Sequence, residues 1–220
     1  MDEVRALRED AARLRDLANS LLLRIDAILE PESVPDIGRQ ISWGSKVDAS
    51  FKAGVLWIEE QLGLSADKLM NCMAFETGQT FSSTIKNAAG SSGLGLIQFM
   101  KATIEGPGGM LERHPNLKKV APNHAALAKL TPTQQLTFVY YYFKAFGNDL
   151  SMWSQEDIYM AILYPKAIGK PLDWQMPWKY GSLAYKQNSG LDLNKDKVIT
   201  KAEAAAGVTR MAALGAQLKG

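Results

Sequence analysis

Apolar residues in the first thirty positions recur at alternating spacings of three and four: Val4, Leu7, Ala11, Leu14, Ala18, Leu21, Ile25 and Ile28. That is the period of a heptad helix. Arg5, Arg8, Glu9, Asp10, Arg13, Arg15 and Asp16 fill the faces between. Pro31 and Pro35 end it, because proline lacks the amide donor and clashes with the preceding turn. Leu17, Leu22, Leu23 and Leu29 widen the apolar face beyond a narrow seam. Two readings therefore stand: a coiled-coil or docking arm, or an amphipathic helix lying on its own domain.

Residues 31–47 read as a turn-rich connection, with Pro31, Pro35, Gly38 and Gly44. Helical periodicity then resumes. Phe51, Val55, Ile58 and Leu62 share one face of a helix from about Asp48 to Leu62. Gly63 interrupts it, and Ser65 caps a next helix through Leu69, Met70, Met73 and Ala74. Residues 86–96, rich in Gly and Ser, read as a loop, and about Leu96 to Ile104 as a helix. Residues 107–130, with several prolines, read as a surface insertion. Thr131-Pro132-Thr133-Gln134 opens a strong helix, with an N-cap and then proline at the first helical position. Another runs from about Gln155 to Leu163. No alternating strand pattern and no internal repeat occurs, so the predicted fold class is mainly α.

Bulk properties narrow the function classes without choosing one. The chain has 220 residues, enough for one buried domain and an appendage. A net charge of +2 and no basic stripe argue against a nucleic-acid partner. No run of about 18 apolar residues occurs, so no membrane span is expected. The first sixteen residues are charged throughout and lack the apolar core of a signal peptide. That predicts synthesis in the cytoplasm, with any action at a cell wall requiring release or carriage by other means. The single cysteine, Cys72, lies in an apolar run and reads as a small buried residue. His114 and His124 lack a nucleophile partner or zinc-ligand spacing, which disfavours a peptidase.

Candidate chemistry centres on Met73-Ala74-Phe75-Glu76-Thr77-Gly78 and Gly93-Leu94-Gly95-Leu96-Ile97-Gln98-Phe99-Met100. Glu76 closes an apolar helix. A carboxyl held against apolar neighbours has its charged form disfavoured and its pKa raised, which suits a general acid near neutral pH. On the local sequence alone, a solvated glutamate at a helix end is the plainer reading.

The two segments together resemble the lysozyme-like lytic transglycosylases of the goose-type lysozyme superfamily, and phage or prophage cell-wall lysins in particular. Glu76-Thr77 stands for the family's helix-ending pair, and Gly95-Leu96-Ile97-Gln98 for its second motif. Met100, Ala102 and Thr103 follow, with Lys101 where proline is usual. Ala161-Ile162-Leu163-Tyr164 resembles a late family segment, with Pro165 in place of Asn. The resemblance covers roughly residues 40–185. It implies a lysozyme-like helical domain that cleaves the MurNAc–GlcNAc β-1,4 bond of peptidoglycan with Glu76 as the catalytic acid. It further implies substrate contacts from Thr77, Gly93, Gly95, Leu96, Gln98 and Tyr164, with Tyr164 holding Glu76 or the sugar. A family enzyme of this kind works with one Glu and no cofactor, and leaves 1,6-anhydromuramyl ends. Ordinary glycosidases use two carboxylates. Glu105 and Asp157 are the candidates for a second, although neither lies in a recognisable motif.

Asp192-Leu193-Asn194-Lys195-Asp196-Lys197-Val198-Ile199-Thr200-Lys201-Ala202-Glu203 resembles an EF-hand calcium loop. Asp192, Asn194, Asp196, Thr200 and Glu203 stand at positions one, three, five, nine and twelve, and the Val198 carbonyl at seven. Lys197 occupies the sixth position, where glycine is usual. The same residues also read as a turn before a helix capped by Thr200 and Glu203. A structural calcium is one expectation, a capped helix the other.

The expected organisation is a heptad helix over 1–30, a linker over 31–47, a catalytic domain over 48–185 and an EF-hand-like segment over 186–220. Self-association or virion docking through residues 1–30 is the expected use of the arm. The rival functions are a hydrolytic muramidase of the same fold, a catalytically silent wall-binding or virion protein, and a calcium-regulated adaptor. The last leaves Glu76 unexplained.

Overall fold

Helix ends along the chain are written by side chains that satisfy otherwise orphaned amides. The computed structural model describes residues 38–87 and 90–220. The expected heptad helix and residues 31–37 of the linker lie outside the described residues. Asp48 accepts from the Phe51 amide at 2.7 Å and starts α1 (Ala49–Leu62), which stops at Gly63 in a left-handed conformation. Ser65 caps α2 (Ala66–Glu76). Three short helices follow: α3 (Lys101–Glu105), α4 (Met110–Arg113) and α5 (Leu117–Val120). A reciprocal Thr131/Gln134 capping box with Pro132 opens α6 (Pro132–Lys144), and Ser154 caps α7 (Gln155–Leu163). Next come α8 (Leu183–Asn188) and α9 (Lys201–Gly215), the latter with a Thr200/Glu203 capping box. The described residues thus form nine α-helices and no strand, a mainly helical fold. None of these helices is long and apolar enough to cross a membrane.

The core sits around α2. Leu69, Met70, Cys72, Met73 and Ala74 are fully buried, and α1, α7 and α9 pack against this helix. Gly207 of α9 lets it approach closely: a Cβ there would lie 2.2 Å from the Phe75 ring. Polar links fix the register. Asn71 accepts from the Trp43 indole at 3.0 Å and donates to Gln155 at 2.8 Å. Gln155 in turn donates to the Lys68 carbonyl at 2.9 Å. Buried amides with complete partners hold two helices in one relative position.

Two local expectations change. The helix expected from Leu96 begins only at Lys101, because Gly95 and Gln98 take φ of +76° and +52°, outside the helical region. The stretch 107–130 is not a surface insertion. Met110, Leu111, Leu117, Ala121 and Leu127 are buried, carried inward by α4, α5 and the 3-10 turn His124–Lys129. Its prolines mark the starts of turns between apolar anchors. The segment expected to stand apart at 186–220 lies in the same compact unit, which spans Gly38–Gly220.

Candidate active site

Glu76 is the last residue of α2, and the chain turns sharply after it. Gly78, Gln79 and Phe81 take positive φ of 58°, 68° and 51°. Non-glycine residues adopt this conformation at a cost of roughly 1–2 kcal/mol each, and such strain collects at functional sites. Thr77 holds the turn. It is fully buried, its hydroxyl donates to the Met73 carbonyl at 2.7 Å, and it accepts from the Phe81 amide at 3.0 Å. The expected substrate contact from Thr77 is therefore replaced by a positioning role: its one hydroxyl is already spent on the bend that presents Glu76.

The Glu76 carboxyl has no hydrogen-bond partner among the described residues. Burial alone lifts its pKa from 4.5 to about 7, and no other charged group contributes. It therefore carries a proton for part of the time at neutral pH, as a general acid must. Its charge is felt by two tyrosines, Tyr142 and Tyr159. Burial, and after it the Glu76 charge, pushes Tyr142 up to about 12 and Tyr159 well above the usual tyrosine range. Tyr142 donates to the Ala161 carbonyl at 2.6 Å, and Tyr159 meets Phe75 edge-on at 5.3 Å. Tyr164, expected to hold Glu76 or the sugar, makes no hydrogen bond to Glu76; it stacks with Trp174 at 6.3 Å and meets Trp178 edge-on at 5.8 Å.

The second motif is organised by two glutamines. Gln98 is half-buried and folds back so that its amide donates to the carbonyls of Gly95 (3.2 Å) and Ile85 (3.4 Å). Its Oε1 is buried without a partner. A Cβ on Gly93 would sit 2.8 Å from that oxygen. Gln135, fully buried on α6, accepts from the Leu96 amide at 2.9 Å and donates to the carbonyls of Ser83 and Leu127. A Cβ on Gly95 would lie 2.1 Å from the Gln135 amide oxygen. Both glycines were expected to let the protein backbone approach the glycan closely. They admit glutamine side chains of the protein itself. Leu96, also expected at the substrate, is fully buried in the core.

Neither candidate for a second catalytic carboxylate is free. Glu105 accepts from the His124 amide. Asp157 accepts from the Lys201 ammonium at 2.6 Å and from the Gly169 amide at 2.8 Å. Burial pushes the Asp157 pKa up, but Lys201, the Gly169 amide and the Ser154 amide together hold it below the usual carboxylate range. The thiol of Cys72 is buried and pushed well above its ordinary value, first by that burial, so it is no nucleophile.

The turn before α9 lies between Asp192 and Glu203. Lys195 and Lys197 take φ of 64° and 74°. The Met176 amide donates to the Ile199 carbonyl, Lys201 to the Trp174 carbonyl and Ala202 to the Leu172 carbonyl, which fastens the turn to residues 172–176. Among the described residues no three His, Cys, Asp or Glu side chains gather as a preformed metal cluster.

Comparison with protein-family models, curated proteins and solved structures found no match. The site therefore stands on its own geometry. Tyr142, Tyr159, Gln135 and the buried Lys201 escaped the sequence reading. A tyrosine in an apolar helical run, or a lysine after a capping threonine, carries no signal of what it will face.

Proposed function

We propose that the protein cleaves the β-1,4 bond between N-acetylmuramic acid and N-acetylglucosamine in peptidoglycan glycan strands, through a lysozyme-like domain with Glu76 as its acid and base. One observation carries this reading: a carboxyl at a strained helix end, without hydrogen-bond partners, whose pKa of about 7 comes from burial alone. The ordered motifs Glu76-Thr77 and Gly95-Leu96-Ile97-Gln98 supply the substrate class through their resemblance to lytic transglycosylases and phage lysins. The site of action on this reading is the cell wall.

In the proposed reaction, protonated Glu76 gives its proton to the glycosidic oxygen as the muramyl C1–O bond breaks. The Glu76 carboxylate then takes the proton from the muramyl 6-hydroxyl as that oxygen bonds to C1. The acid is regenerated, and a 1,6-anhydromuramyl end forms without water or cofactor. Asp157 and Glu105 are engaged elsewhere, which favours this route over hydrolysis. A well-oriented internal hydroxyl has an effective concentration of up to about 10⁵ M or more, far above a loosely held water. Gln98 and Tyr164 are proposed to orient the sugar.

Mass spectrometry of muropeptides released from purified sacculi in heavy-oxygen water tests this. Anhydromuramyl ends without label are expected. Reducing muramic ends carrying the label would make the enzyme a hydrolytic muramidase. No release of fragments would leave a wall-binding or virion component.

A further inference from the structure

The turn at residues 192–203 has no part in the proposed reaction, yet it contains a group whose bonding is incomplete. Asp192 is only 1% exposed. Its Oδ2 accepts from the Tyr185 hydroxyl and from the Lys197 amide at 3.1 Å. Its Oδ1 is buried with no hydrogen-bond partner; only Gln98 Oε1 shares that condition among the described residues. A buried carboxylate oxygen left unpaired is costly, so it favours a cation or donor supplied from outside.

The surrounding donors are all oxygens. Asn194 Oδ1 accepts from the Asp196 amide at 2.8 Å, and Asp196 Oδ1 from the Val198 amide at 2.8 Å. Glu203 spans the turn: Oε2 accepts from the Thr200 amide (2.9 Å) and hydroxyl (2.8 Å), and Oε1 from the Asn194 amide at 3.4 Å. The side chains of Asp192, Asn194, Asp196, Thr200 and Glu203, with the Val198 carbonyl, make a set without sulfur or imidazole, suited to a hard cation that takes many oxygens. Lysine at position 197 is no obstacle to the backbone, since it already takes φ +74°. The ammonium of Lys197 lies over the Tyr180 ring at 5.0 Å, and that of Lys195 donates to the Asp192 carbonyl at 2.7 Å.

We infer that residues 192–203 bind a calcium ion through Asp192, Asn194, Asp196, the Val198 carbonyl, Thr200 and Glu203, and that this ion staples the start of α9. The capped helix and the cation site are not alternatives. Thr200 caps α9 through the Glu203 amide while the Glu203 carboxylate closes the turn. The ion would act on the site from behind, because α9 packs against the helix that ends in Glu76.

Calorimetry and thermal unfolding of the chelator-treated full chain, with calcium and then magnesium added, test the inference apart from any activity. Calcium is expected to bind at one site and raise the Tm by several degrees, by mass action on the native state. Magnesium, which demands a smaller near-octahedral shell, is expected to give a lesser shift. Glu203→Gln keeps the capping box but loses the paired carboxylate oxygens. It should match the wild-type Tm in chelator and bind calcium at least tenfold more weakly. Asp196→Asn, at an exposed position, should weaken binding likewise. No heat and no Tm shift for the wild type at 10 mM calcium (roughly tenfold above the weak end of such loops, about 1 mM) would overturn the inference. So would equal binding by wild type and both variants.

Discussion

At the end of α2, Glu76 is half-buried, receives no hydrogen bond, and has a pKa of about 7. At the turn before α9, Asp192 has little exposed surface, and it sits below the usual carboxylate range. The Tyr185 hydroxyl is the largest cause, and the Lys197 and Lys195 amides assist, against the upward push of burial. Asp157 repeats the second pattern, with Lys201 as its principal partner. Burial alone thus does not decide whether a carboxyl keeps its charge; the donors aimed at it do. The fold strips donors from one acid, leaving it able to carry a proton. It aims donors at one oxygen of Asp192 and of Asp157, which favours their charged forms.

The sharpest way to break this contrast is Glu76→Gln. Loss of a general acid–base group should lower sacculus lysis by about 10²–10⁴-fold, while the fold persists. The same variant should alter stability in a definite pH window. A carboxyl whose pKa rises from 4.5 to about 7 on folding favours the native state below pH 4.5, and that advantage is lost as pH rises through 7. The variant should therefore exceed the wild type by up to about 3 kcal/mol at pH 8 and match it near pH 4. In the wild type, kcat/KM should fall tenfold per pH unit above about 7. Retained lysis by a folded Glu76→Gln protein would place the acid elsewhere.

Lys201→Met tests the other side. Lys201 is only 2% exposed and is bound to both Asp157 and the Lys170 carbonyl. Removing one member of a buried pair strands the other, at about 3–5 kcal/mol. Urea unfolding near pH 7 should show that loss. It should shrink as pH falls below 3.8, the ordinary Asp value, because the native preference for ionised Asp157 is then lost. A change under 1 kcal/mol would mean the pair does not anchor α9.

The smallest effect joins the two regions. Gly207→Ala places a methyl against the Phe75 ring, beside Glu76. Overpacking costs about 1–3 kcal/mol, and the gain in helix propensity returns up to about 1 kcal/mol. A net loss of about 1–2 kcal/mol is expected, with lysis reduced more than stability alone explains. Unchanged unfolding and unchanged lysis would show that α9 yields freely and does not position Glu76.

Much of this was legible in the chain itself, because local signals rest on local bonds. Asp48, Ser65, Thr131, Ser154 and Thr200 cap helices within three residues of their own positions, so α1, α2, α6, α7 and α9 could be read from spacing and caps. Glu76 stands out only together with the Gly95-Leu96-Ile97-Gln98 segment, through the family resemblance; its own neighbours along the chain read as plainly as a solvated helix end. The alternating oxygens of residues 192–203 are a local signal, as the caps are. What spacing could not supply was the identity of distant partners. Gly93 and Gly95 looked open to a ligand, but Gln98 and Gln135 occupy their space. Thr77 was expected at the substrate beside Glu76, but its hydroxyl bonds Met73 and Phe81. Asp157 looked like an available carboxylate, but Lys201, 44 positions away, holds it. Only the packing of α2 against α7 and α9 decided which acid lost its donors and which kept them, because a pKa depends on every group within a few ångströms, and sequence fixes only the few that are neighbours along the chain.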